Sequence, residues 1–190
     1  MRFFSKRNEV ALGDGLVYKR VQSPRAAALE ASILRELRGR GIAVPSVIAC
    51  RDTLLILEYL PGEPLPDLIE RGAYEPQTLA RALCDWFAAF YAAIPSAELR
   101  GDVNGRNFLY DGVKIYGVDF EERCYGPRAR DAGRLAAFLT TYHSPDPARQ
   151  AVLAEAFTQE FSVRFACAPE DIFSEQASEY AAMRQRRTRP

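Results

Sequence analysis

RGDVNGRNFLYDGVKIYGVDF, residues 100–120, decides how the rest of the chain is read. Asp102 opens a D-x-x-x-x-N run that ends at Asn107, and a second aspartate, Asp119, follows twelve residues later. Two short apolar segments lie between, Phe108–Tyr110 and Val113–Val118, parted by Asp111-Gly112. An Asp-Gly pair in that setting predicts a tight β-hairpin, because both residues tolerate the positive φ a two-residue turn demands. A hairpin folds back on its origin, so Asp119 is expected to return beside Asn107. Asp102, Asn107 and Asp119 then converge as three oxygen-bearing side chains. Such donors suit a hard cation like Mg²⁺, which takes one or two protein carboxylates and completes its shell with phosphate and water. The plainer reading is two turn aspartates and a turn asparagine beside a hairpin.

Upstream, Asp14-Gly15 marks a second hairpin, flanked by Val10, Leu12, Val17 and Val21, with Lys19 on its second strand. Ser23-Pro24 reads as an N-cap followed by a proline in the first turn, opening a helix over about 24–40. Ala28, Ile33, Leu34 and Leu37 form its apolar stripe, and Gly39 and Gly41 mark its end. Glu30 and Glu36 on this helix are competing partners for Lys19. Val47–Cys50 and Leu54–Tyr59 read as strands joined by a turn at Arg51-Asp52. The second ends in a Pro-Gly break at Pro61-Gly62, which exposes backbone donors and acceptors at an edge.

Downstream, Glu75-Pro76 opens a long helix to about Ile94, with Leu79, Leu83, Trp86, Phe87, Phe90 and Tyr91 at core spacing. Asp131 begins a further helix ending near Tyr142, and two more are expected over about 147–165 and 174–187. His143, the single histidine, reads as a surface residue rather than a catalytic base.

The order of these parts resembles the protein-kinase-like superfamily. GDVNGRN with VDFEE looks closest to the aminoglycoside-phosphotransferase and choline-kinase branch, and is also similar to small RIO-like kinases and the kinase associated with tRNA threonylcarbamoylation. The resemblance spans roughly residues 8–142. It implies an α+β, two-lobed kinase-like fold, with a reduced N-terminal β lobe (1–60) and a mainly helical C-terminal lobe (61–190) in a single domain. It implies ATP and Mg²⁺ or Mn²⁺ as cofactors. Asp102 would serve the acceptor, Asn107 and Asp119 the metal, and Lys19 steadied by Glu30 the phosphates. The E-A-S-I-L-R-E spacing toward V-P-S-V favours Glu30 over Glu36. LLILEYLPGEPL resembles the linker between lobes, so Glu58, Tyr59 and Leu60 would hold the base through backbone groups. Asp131 is either a helix cap or the aspartate that braces the catalytic loop.

Three departures stand out. Arg100 occupies the place of the usual histidine, which removes a scaffold residue. Glu121 follows Asp-Phe where glycine is common, putting another acidic group near the metal. Only 18 residues precede Lys19, and no Gly-rich phosphate lid is evident; an N-terminal lobe without its first strand is expected. A partner protein could supply that lid.

Composition limits the alternatives. With 190 residues the chain fits the soft prior of ~100–200 residues for one domain. Lys plus Arg and Asp plus Glu each number 25, so no net field draws the chain to nucleic acid or a membrane. The exception is the closing MRQRRTRP, read as a solvated, frayed tail that could touch an acidic partner. No apolar run nears the ~18 residues of a membrane span, and the charged N-terminus lacks a signal-peptide core. Cys50, Cys84, Cys124 and Cys167 are widely spaced and read as buried thiols of a reducing compartment, the cytoplasm. The leading reading is an ATP-dependent phosphotransferase acting on a hydroxyl of a small molecule or a protein. A nucleotide-binding pseudokinase or regulatory module is the alternative, and an interaction protein using the basic tail is the third.

Overall fold

The computed structural model describes residues 2–3, 8–95, 97–121 and 123–188. The N-terminal part is an antiparallel sheet of β1 (Arg2–Phe3), β2 (Glu9–Gly13), β3 (Leu16–Arg20), β4 (Val47–Arg51) and β5 (Leu54–Glu58), in the order β1-β2-β3-β5-β4. The β2–β3 turn has φ of 51° at Asp14 and 73° at Gly15, the left-handed pair the Asp-Gly signal predicts. At the sheet edge Arg2 and Phe3 pair with Ala11 and Val10, so a short first strand stands where the sequence reading expects none. Two residues carry too little alternation to be read as a strand. The segment between β1 and β2, where a phosphate lid belongs, contains no glycine, and its residues 4–7 lie outside the described residues.

Helix α1 (Pro24–Gly39) crosses from β3 to β4 and packs on β4 and β5. The Ser23 side chain accepts from the Ala26 N–H, so the cap is as predicted. The buried face is Ala27, Glu30, Ala31, Ile33, Leu34 and Leu37; Ala28 points outward instead. A charged residue on that apolar face is the first structural mark of a site.

The C-terminal part is mainly helical: α2 (Leu65–Arg71), α3 (Pro76–Ala93), α4 (Arg128–Thr141), α5 (Pro147–Phe165) and α6 (Pro169–Thr188). Short pairings frame it. β6 (Glu63–Pro64), β8 (Phe108–Tyr110) and β9 (Ile115–Gly117) form one sheet; β7 (Glu98–Leu99) and β10 (Cys124–Tyr125) pair antiparallel in another. Trp86, Phe87 and Phe90 of α3 meet Phe108, Phe120, Phe157 and Phe161 in the centre of the core.

Three local expectations change. The β8–β9 register pairs Tyr110 with Ile115, leaving a four-residue turn instead of two. Asp111 Oδ1 accepts from the Val113 and Lys114 N–H groups, and this Asx turn competes with the tight hairpin and leaves Val113 82% exposed. Helix α6 starts five residues early, because Pro169 opens it and Ile172 docks fully buried on α4. Its backbone stays helical through Thr188, and Arg186 pairs with Glu179, so most of the expected frayed tail is structured.

Gly117 shows how closely the layers approach. A Cβ there would lie 2.4 Å from Trp86 Cζ2, while the Gly117 N–H and Trp86 Nε1 both donate to the Ala43 carbonyl at 2.9 and 3.1 Å. These bonds tie the stretch after α1 to the helical part. Gly117→Ala is therefore expected to cost about 1–3 kcal/mol by overpacking. A thermal melt checks this, and an unchanged midpoint would contradict the contact.

Candidate active site

Lys19 projects from β3 and Glu30 from the second turn of α1. Lys19 Nζ donates to both Glu30 carboxylate oxygens, at 2.7 and 2.6 Å, and also to Asp119 Oδ1. The Lys19 and Glu30 side chains are 7% and 2% exposed, whereas Asp119 is 35% exposed and reaches solvent. Burial acts to lower the Lys19 pKa, but the Glu30 and Asp119 charges outweigh it and hold the amine above its ordinary value. The ammonium is thus fixed in its charged form at neutral pH. Glu36 pairs instead with Arg40 at 2.9 Å and with Arg123, which settles the choice between the two glutamates.

The hairpin brings Asp119 back as expected. The Val118 N–H donates to the Asn107 carbonyl at 2.9 Å, one residue before Asp119. Asp119 has φ of 65°, a left-handed conformation uncommon for a side-chain-bearing residue and frequent where strain serves a site. Arg100 holds that backbone. Its Nη2 donates to the carbonyls of Val118 and Asp119, and its guanidinium lies 4.0 Å over the Phe120 ring. Arg100 is buried, and burial lowers its pKa against the raising effect of Asp102, Asp119 and Asp131. The histidine position is therefore filled by another scaffold residue rather than lost.

Asp131 acts as the brace and not as a cap, since α4 begins three residues earlier. One carboxylate oxygen accepts from the Arg100 N–H and the Tyr91 hydroxyl, both at 2.8 Å; the other accepts from the Gly101 N–H at 3.0 Å. Its burial pushes the carboxyl pKa up, opposed by these three donors. The peptide leading into Asp102 is thereby fixed from below, while the Asp102 side chain is exposed at the surface. Asn104 completes the loop: its Oδ1 accepts from the Arg106 N–H at 3.0 Å and from the Tyr142 hydroxyl at 2.8 Å.

Asn107 donates through Nδ2 to the Asp102 carbonyl at 3.2 Å. That bond orients the amide and leaves its oxygen without a donor among the described residues. Asn107 Oδ1 and the second Asp119 oxygen are the donors available to a hard cation. No group of three or more His, Cys, Asp or Glu side chains suited to a metal occurs among the described residues. A carboxylate and a carboxamide oxygen fit Mg²⁺ or Mn²⁺ bound jointly with phosphates, not a protein cage. Glu121 accepts from Asn8 Nδ2 at 2.7 Å.

In the linker, the Glu58 carboxylate accepts from the Ser46 N–H at 2.9 Å and the Ser46 hydroxyl at 2.7 Å, and its own N–H donates to the Ser46 carbonyl. Its side chain is structural. Tyr59 is 43% exposed and Leu60 is buried; among the described residues their N–H groups have no hydrogen-bond partner. Surface concavities of ≈ 330 and ≈ 290 Å³ lie elsewhere, one beside Arg40 and Ala93 and one beside Arg71 and Tyr110. His143 is exposed, as expected, and Cys84 alone of the four cysteines is fully buried. The scaffold roles of Arg123, Tyr91 and Tyr142 carried no sequence signal.

A family model described as the RIO domain matches residues 9–125, which takes in Lys19, Glu30, the linker and both aspartates. The chain belongs to the RIO-domain family. No curated protein sequence matches it. Among solved structures, this RIO domain is similar to a choline/ethanolamine kinase family protein from Mesorhizobium loti, with 14% identity and a TM-score of 0.58, covering 100% of this chain and 81% of that one. It is also similar to the ADP-bound aminoglycoside phosphotransferase APH(2'')-Ib, with 12% identity and a TM-score of 0.67, covering 97% and 83%. The RIO domain thus has the two-part kinase-like fold: a small antiparallel sheet followed by helices. No helix among its described residues is long and apolar enough to cross a membrane.

Proposed function

We propose that this RIO domain is an ATP-dependent phosphotransferase that moves the γ-phosphate to a hydroxyl acceptor with the help of Mg²⁺ or Mn²⁺. The observation that carries the reading is the meeting of Lys19, Glu30 and Asp119, drawn from β3, α1 and the hairpin exit. Taking Lys19 and Glu30 out of water costs free energy that their attraction offsets only in part, and such charge clusters concentrate at functional sites. Phosphate oxygens of a bound nucleotide replace the Asp119 contact to Lys19, and Glu30 keeps the amine in place. Asn107 and Asp119 hold the divalent cation, which supplies charge neutralisation at the phosphates when bound. Asp102, exposed and braced through Asp131, orients the acceptor hydroxyl and takes its proton. The unpaired N–H groups of Tyr59 and Leu60 receive the base. Positioning and charge neutralisation supply the rate in such transfers. The widely spaced thiols fit a cytoplasmic setting.

Calorimetric titration with ATP, with and without Mg²⁺, tests this reading. Wild type is expected to bind ATP more tightly with metal, and Asp119→Ala to lose that enhancement while keeping its fold. Equal affinities with and without metal in wild type would leave a regulatory nucleotide-binding module as the better account.

A further inference from the structure

Arg123 stands between Asp119 and α4 in the chain and takes no part in the proposed transfer. Its guanidinium joins three parts of the chain. Nη2 meets Glu36 Oε2 on α1, and Nη1 meets Glu98 Oε1 on β7 at 2.5 Å. Its neighbours Cys124 and Tyr125 pair with Leu99 and Glu98, so the backbone beside Arg123 is laddered to the strand that leads into Arg100. The Arg123 and Glu36 side chains are each 30% exposed and Glu98 is 6% exposed, so the link is partly shielded from water. Burial lowers the Arg123 pKa, but hydrogen bonds to Glu36 and Glu98 outweigh it.

Glu36 lies six residues beyond Glu30 on one rigid helix. Helix α1 is therefore held through Glu30 to Lys19 and Asp119 and through Glu36 to Arg123, besides Arg40 at its C-cap, which donates to the Ala93 carbonyl. An outward swing of α1 would break both links together. Residues 120–127 alone separate Asp119 from α4, too short a connection for a long loop that must be ordered before α1 can seat. In kinases with such loops, phosphorylation or another cue controls the lysine–glutamate pair by placing this helix.

We propose that Arg123 is a positioning residue that clamps α1 onto the segment after Asp119, so that the Lys19–Glu30 pair stands assembled without phosphorylation. The consequence for turnover rests on the phosphotransferase reading; the clamp itself does not.

Two measurements on the full chain test the clamp. The first is acylation of Lys19 by an amine-reactive ester, read by mass spectrometry without nucleotide. Release of α1 exposes the amine, so Arg123→Gln is expected to raise Lys19 labelling by at least about threefold. Glu36→Gln should do the same, and the double variant should fall well short of the sum of the two, because both single variants already remove the Glu36–Arg123 link. Arg123→Lys keeps the charge but loses the two-pronged grip and should behave like Arg123→Gln. The second is ATP turnover with Mg²⁺: kcat is expected to fall about tenfold with KM nearly unchanged, since the linker contacts persist. If Arg123→Gln does not fold, Glu36→Gln provides the same reading from the helix side. Wild-type labelling in these variants, or additive effects in the double variant, would overturn the proposal. A wild type with no turnover, yet with the expected labelling pattern, would remove the phosphotransferase reading and leave the clamp standing.

Discussion

Asp131→Ala is expected to bring the chain close to unfolding. Asp131 has no exposed surface and accepts from the Arg100 and Gly101 N–H groups and from the Tyr91 hydroxyl. Alanine leaves these donors buried without acceptors, at ~1–3 kcal/mol each. It also leaves the buried Arg100 guanidinium with one carboxylate fewer nearby. Against a total stability of roughly 5–15 kcal/mol, the combined loss is a large fraction. Asp131→Asn should not rescue it, because its NH₂ would face a donor. Urea denaturation followed by circular dichroism measures the effect. A midpoint equal to wild type would show that the brace contributes nothing, and would detach the geometry of the Arg100–Asp102 segment from α4.

Asp102→Asn is expected to abolish phosphoryl transfer with little effect on stability or on nucleotide affinity. The Asp102 side chain is exposed, and its Oδ1 accepts only a local bond from the Asn104 N–H at 3.2 Å, which an asparagine oxygen can also accept. The proposed cation ligands, Asn107 and Asp119, are untouched. What disappears is the carboxylate that takes the acceptor proton, and loss of such a base typically costs ~10²–10⁴ in rate. Turnover and ATP titration on the same preparation separate the two effects. Undiminished turnover would take Asp102 out of the mechanism; lost nucleotide binding would move it into the metal site.

The convergence of Asn107 and Asp119 within residues 100–120 is legible in the sequence because it depends on neighbours a few positions apart. A D-x-x-x-x-N run, an apolar pair of segments and a returning aspartate need no distant partner to be recognised. The Asp14-Gly15 turn and the Ser23-Pro24 cap were readable for the same reason: φ preferences and side-chain capping act within three residues. At Asp111-Gly112 two local rules compete, and the Asp111 side chain makes the longer Asx turn the better one.

The sequence alone determined the order of the parts, the kinase-like resemblance and the set of candidate residues. The spacing toward V-P-S-V already favours Glu30 over Glu36, and the tertiary structure adds why: Arg123, 87 positions beyond Glu36, claims the second glutamate. Only the tertiary structure decided between cap and brace for Asp131, through Arg100 and Gly101 about thirty positions away, and made Arg100 a replacement scaffold through Val118 and Asp119. The physical reason is common to all three. A charged side chain carries no mark of which distant groups will share its burial, and in a low-dielectric interior those groups decide its role.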